Sequence, residues 1–169
     1  MNENSIIDEL VYDSASGTLT YKDIRYVIIR PETIIGFQKI IEKYSRKGAP
    51  DALFQGGYQG GYLSAKKFKE MQNLSDSETI NFMMTMGAEI GWGHFHLIDY
   101  DFENCKLQIK VENSAFAEAY GESTEGVCHL INGVLSGLAT VLFGRNCTGS
   151  EIECLAKGDT YCVFHISEK

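Results

Sequence analysis

Apolar residues recur along this chain at two different spacings, and the changes from one to the other divide it into elements. In the polar opening, Ile6, Ile7, Leu10 and Val11 are spaced for one or two helical turns, in a segment equally able to fray. Residues 18–21 and 24–29 are β-rich and separated by Lys22-Asp23, which predicts a hairpin. Pro31 sits where a first helical residue belongs, and Ile34, Phe37, Ile41 and Tyr44 follow at helical spacing until Gly48 stops the run. A second helix is expected from Pro50-Asp51 to about Met71. Ser75-Asp76-Ser77-Glu78 has the form of a capping box, and Ile80, Met83, Met84, Gly87 and Ile90 mark one face of the helix it would start.

Gly91-Trp92-Gly93 breaks that helix. Phe95, Leu97 and Tyr100, then alternating Leu107, Ile109 and Val111, predict a second hairpin. The longest amphipathic helix is expected over residues 125–143, with Leu130, Ile131, Val134, Leu135, Leu138, Val141 and Leu142 on a broad apolar face and Gly144 just past its end. A third hairpin closes the chain, with residues 151–156 and 160–166 joined by a Lys157-Gly158-Asp159 turn. No strand–helix–strand alternation points to a parallel sheet. The expected class is α+β: an antiparallel sheet built from hairpins, packed against about four helices. The 169 residues read as one domain, with 1–16 a candidate flexible N-terminal segment.

Charge narrows the partners. Lys and Arg number 15 against 23 Asp and Glu, a net charge of −8, and a surface that acidic repels phosphate backbones and anionic headgroups. Binding to nucleic acid or to a membrane is therefore not expected. No basic start followed by an apolar stretch marks a secretory signal, and no run approaches the roughly 20 apolar residues that span a bilayer. A cytoplasmic location follows as an expectation, and in a reducing compartment the five cysteines would be metal ligands or core residues.

Cys154 and Cys162 lie four residues to either side of Gly158. In the expected hairpin they face each other, with Cβ atoms about 4.5–5.5 Å apart. Cys128 falls near the start of the long helix, whose N-terminus favours a thiolate. Three thiolates need a fourth ligand for a tetrahedral zinc site. Glu118 is the first choice, with His129 next and water after it. Against the metal stand two other readings: buried apolar cysteines, or a Cys154–Cys162 disulfide. Cys105 and Cys147 have no partner at useful spacing.

The motifs Asn113-Ser114-Ala115-Phe116-Ala117-Glu118, Val127-Cys128, Gly133-Val134-Leu135-Ser136-Gly137, Glu153-Cys154 and Gly158-Asp159-Thr160-Tyr161-Cys162-Val163-Phe164 resemble the 4-vinyl-reductase domain family. That family includes sensory domains of phenol-responsive transcription activators and a protein tied to bacteriochlorophyll synthesis. Its fold is similar to that of core subunits of the transport-particle tethering complex. The resemblance covers residues 107–166 best. It implies a ligand-binding α+β fold, a homodimer, and a structural Zn2+ held by three cysteines and a carboxylate, which carry over to Cys128, Cys154, Cys162 and Glu118. Phe116 and Tyr120 depart from the more polar residues of many members.

Gly57-x-x-x-Gly61 and Gly133-x-x-x-Gly137 each put two glycines one turn apart, either to clear space for a ligand or to let two elements approach closely. Tyr58, Tyr62, Met83, Trp92, Phe95 and Phe116 are the candidate lining of an apolar pocket. His94 and His96 share a strand face and would be a metal pair only with a third ligand. No phosphate-binding loop, dinucleotide fingerprint or nucleophile–base pair is present. The expected function is non-enzymatic: a sensor for a small apolar or aromatic ligand, signalling through another protein. The alternatives are an interaction scaffold with a filled or acyl-occupied cavity, and an accessory to tetrapyrrole vinyl reduction.

Overall fold

The computed structural model describes residues 4–169; residues 1–3 of the candidate flexible segment lie outside them. Helix α1 (Ser5–Glu9) is one short turn capped by Asn4, whose side chain accepts from the Ile7 N–H. Glu89 holds it in place, accepting from the Ser5 hydroxyl at 2.8 Å and the Ile6 N–H at 2.9 Å. Strands β1 (Val11–Asp13), β2 (Thr18–Tyr21) and β3 (Ile24–Tyr26) form a small antiparallel sheet in that order. Lys22 and Asp23 both take positive φ, the conformation that a two-residue hairpin turn demands. Tyr21, Ile6, Phe68 and Met86 make a second, small core beneath this sheet. Val27, Ile28 and Ile29, expected to extend β3, leave the sheet and are exposed.

The helices follow their local signals closely. Helix α2 (Pro31–Tyr44) carries proline in its first turn, and α3 (Gly48–Gln72) ends on Asn73 in the left-handed conformation. Helix α4 (Asp76–Glu89) has both halves of the capping box, with the Ser75 N–H donating to Glu78 at 2.8 Å. A short helix, α5 (Ala115–Tyr120), adds to those expected, because six residues are too few to display a period. Helix α6 (His129–Phe143) starts four residues later than expected, with Cys128 as its N-cap.

The main sheet contains β4 (His94–Asp101), β5 (Lys106–Glu112), β6 (Cys147–Glu153) and β7 (Cys162–Glu168) in the order β4-β5-β7-β6, antiparallel throughout. Helix α6 lies between this sheet and α3, so it is buried on nearly every side rather than on one face. Its crossing with α3 is made by glycine. A Cβ on Gly57 or Gly61 would collide with the carbonyl oxygens of Leu130 and Val134, and one on Gly133 or Gly137 with those of Phe54 and Tyr58. Both glycine pairs therefore serve close packing, backbone against backbone.

One register differs from the sequence expectation. Cys154 and Cys162 do not face each other: Glu153 pairs with Val163, and Cys162 pairs with Val111 of β5. Residues 154–161 form a longer connection that includes a 3-10 helix at Leu155–Lys157, closed by Gly158 at φ 93°. An irregularity between Glu151 and Glu153 offsets the pairing. Central placement of β7 buries alternate residues Cys162, Phe164 and Ile166, and that burial dictates the register.

Candidate metal centre and apolar cavity

Three separate segments meet where α6 begins. Cys128 caps the helix, Glu151 comes from β6, Cys154 opens the 3-10 turn, and Cys162 begins β7. One donor atom from each lies within 4.8 Å of the other three, and the Cys128 and Cys162 sulfurs are 3.7 Å apart. All three cysteines are buried and none is in a disulfide. The fold turns N–H groups toward the cluster: Leu155 donates to the Cys162 sulfur at 3.4 Å, and Cys128 donates to Glu151 Oε2 at 2.9 Å. The Ser114 hydroxyl lies 3.3 Å from the Cys128 sulfur, and Asp159 accepts from the Cys154 N–H at 2.8 Å, fixing the turn.

The electrostatics are those of anions crowded together. Burial, and then the hydrogen bond with Cys154, pushes the Glu151 carboxyl up to about 8. Hydrogen bonding to Cys154 and then Cys162 raises the Cys128 thiol, while hydrogen bonding to Cys128 and then Cys162 lowers that of Cys154. Cys162 is drawn down by Cys128 but pushed up more by Cys154 and burial, to about 12. Four such donors can all be ionised only around a cation. Glu151 Oε1 is buried without a hydrogen-bond partner, as a carboxylate oxygen reserved for a metal would be. Three buried sulfurs and one carboxylate oxygen fit a closed tetrahedral site.

Glu118, the carboxylate expected in this role, is exposed on α5 and is not part of the cluster. Six residues of helix direct it outward, whereas Glu151 points inward from the strand beside Cys154. The signal for Glu151 was its place three residues before Cys154. His129 is half-buried in the first turn of α6 and also lies outside the cluster.

An apolar cavity of about 290 Å³ lies between α3, α4 and α6. Met83, Trp92 and Phe95 line it, together with Gly56 and Gly60 of α3 and Val134 of α6. Phe116 stands behind that wall, edge-on to Trp92 with ring centroids 5.1 Å apart. Tyr58 and Tyr62 stack on each other and border a different, open cleft shared with Lys66 and Arg145. Gly56 and Gly60 are hidden in the sequence by Gly57 and Gly61, which show the same helical spacing. Among the described residues no helix is long and apolar enough to cross a membrane.

A buried thiolate–carboxylate cluster beside an apolar cavity, on an antiparallel sheet crossed by a buried helix, defines an α+β domain able to hold a metal. Residues 107–168 match the 4-vinyl-reductase domain, which bears out the resemblance drawn from the motifs, and the matched stretch contains all four cluster residues. No curated protein matches the chain in sequence. Among solved structures, the chain is similar to the phenol-responsive sensory domain of the transcription activator PoxR with phenol. The TM-score is 0.83 at 16% identity, covering 96% of this chain and 86% of that one. A vinyl-4-reductase family protein from Methanocaldococcus jannaschii matches with TM-score 0.57 at 19% identity, over 88% and 85% of the two chains. A trafficking protein particle complex subunit 3 from Naegleria fowleri, covalently bound to palmitic acid, matches with TM-score 0.58 at 13% identity, over 82% and 95%. At these identities the likeness is one of fold, and it is the α+β fold expected from the sequence.

Proposed function

We propose that this protein binds a small apolar or aromatic molecule in the cavity between α3, α4 and α6, without catalysing a reaction, and passes the signal to a protein partner. The observation that carries the reading is the pair Gly56 and Gly60. An interior helix glycine costs about 0.5–1 kcal/mol relative to alanine. At both positions nothing lies within 4 Å of where a Cβ would stand, so close packing does not account for them. They keep the cavity wall low beside Met83, Trp92 and Phe95. The volume suits one ring or a short chain, at the small end of the roughly 300–1,000 Å³ typical of ligand pockets. Likeness in fold to a phenol-responsive sensory domain supports the same assignment.

Cys128, Glu151, Cys154 and Cys162 are read as the ligands of a structural Zn2+, which would join the start of α6 to β6 and β7. A homodimer is supported by α2, which exposes Phe37, Ile40 and Tyr44 along one stripe. Five unpaired cysteines suit a reducing, cytoplasmic setting.

The test is thermal unfolding of the zinc-loaded protein with phenols, larger aromatics and fatty acids. A saturable rise in Tm that Gly60→Leu removes is expected; no shift with any compound would overturn the reading. A scaffold with an acyl-filled cavity is the second reading, favoured by the palmitate-bound relative and by walls that are almost wholly apolar. No cysteine lines the cavity, so an acyl chain here would be held without a covalent bond. Mass spectrometry of the extracted ligand separates a ring from a long chain.

A further inference from the structure

A second group of metal-binding side chains lies on β4, the edge strand of the main sheet. His94 and His96 are two residues apart and so share a face, and Glu112 of β5 is the register partner of His94. The imidazole centroids are 5.1 Å apart, and His96 Nε2 is 3.3 Å from Glu112 Oε2. One donor atom from each of the three residues lies within 4.8 Å of the others. His96 Nε2 is buried and makes no hydrogen bond, so its contact with the carboxylate lacks hydrogen-bond geometry. Lys110 occupies Glu112 Oε1 at 2.7 Å, leaving Oε2 toward the imidazoles. A His96–Glu112 ion pair would account for one ring only. Two neighbouring imidazoles repel each other when both are protonated, whereas one shared cation satisfies both rings and the carboxylate together.

We propose that His94, His96 and Glu112 form a second, exchangeable site for a divalent transition metal. Two imidazole nitrogens and a carboxylate oxygen suit Zn2+, Co2+ or Ni2+, and the absence of sulfur sets this site apart from the thiolate cluster. Exposure separates the two further. The cysteines are buried, but His94 is exposed and borders an open cleft of about 940 Å³, so the remaining coordination positions face water. A metal here would also tie the edge strand to β5. The inference depends neither on the apolar cavity nor on zinc at the cysteines.

The chain has four histidines, two of them outside the site, and these serve as internal controls. Zinc-loaded full-length protein is titrated with Zn2+ alone, then Ni2+ alone, at neutral pH. Calorimetry follows stoichiometry and NMR follows the imidazole nitrogens. One further equivalent is expected, moving the His94 and His96 signals and leaving those of His129 and His165. His96→Ala and Glu112→Gln should each weaken it at least about tenfold, the scale on which metal sites respond to lost ligand support. Lys110→Met, which frees Glu112 Oε1, should tighten it, a gain that misfolding could not produce. Failure to bind a further equivalent, or binding that leaves His94 and His96 unmoved, overturns the proposal. So does binding indifferent to all three substitutions.

Discussion

Glu151 sits among three thiols in a place where burial alone would not tolerate four anions, and its raised carboxyl pKa expresses that conflict. Zinc binding requires all four donors to lose their protons, so uptake at neutral pH should release protons and affinity should rise with pH. Buffer-dependent calorimetric enthalpy would show the release. For the metal-free protein the two main shifts oppose each other. The Glu151 contribution is present below its ordinary 4.5 and is lost as pH rises through about 8. That of Cys154, whose folded pKa is lowered, is present above its ordinary 9.0 and is lost as pH falls. The difference in Tm between zinc-loaded and metal-free protein should therefore grow from about pH 6 to about pH 8, the metal supplying the trend. Glu151→Gln should lower zinc content well below one per chain in elemental analysis, while Glu118→Gln should leave it at one.

Elements meet here through glycine, and the two kinds of glycine in α3 should respond oppositely. Gly57→Ala or Gly133→Ala would drive a Cβ into the backbone of the facing helix, a strain of about 1–3 kcal/mol or more. Gly60→Ala meets open space and should stabilise the protein by about 0.4–1 kcal/mol while weakening ligand binding. Denaturant unfolding measures both, and opposite signs at positions three residues apart would separate packing from pocket. Ser75→Ala removes one half of the capping box of α4 and should cost about 1 kcal/mol.

Across the whole molecule, the cysteine cluster is the point at which α6, β6 and β7 are joined. A metal present at about a thousand times its Kd contributes about 4 kcal/mol. For a chain of this size its removal by chelator should lower Tm by roughly 10 °C. Dimerisation through α2 would appear in sedimentation as a concentration-dependent shift. Tyr44→Glu, at a residue 87% exposed, should abolish that shift without altering zinc content.

Sequence alone determined the α+β class, the four principal helices and the three cysteines. Period, proline position and the Ser75–Glu78 box are local properties, readable without knowing what lies opposite. The cysteines were correctly grouped, but through a hairpin register that does not exist: a 3-10 turn folds Cys154 toward Cys162 instead. Tertiary structure decided which carboxylate joins them, which glycines pack and which open the cavity, and that Glu112 completes the pair His94 and His96. Each of those choices depends on segments far apart in the chain. Their relative placement is set by burying β7 at the centre of the sheet and α6 beneath α3, a condition on the whole core that no local pattern carries.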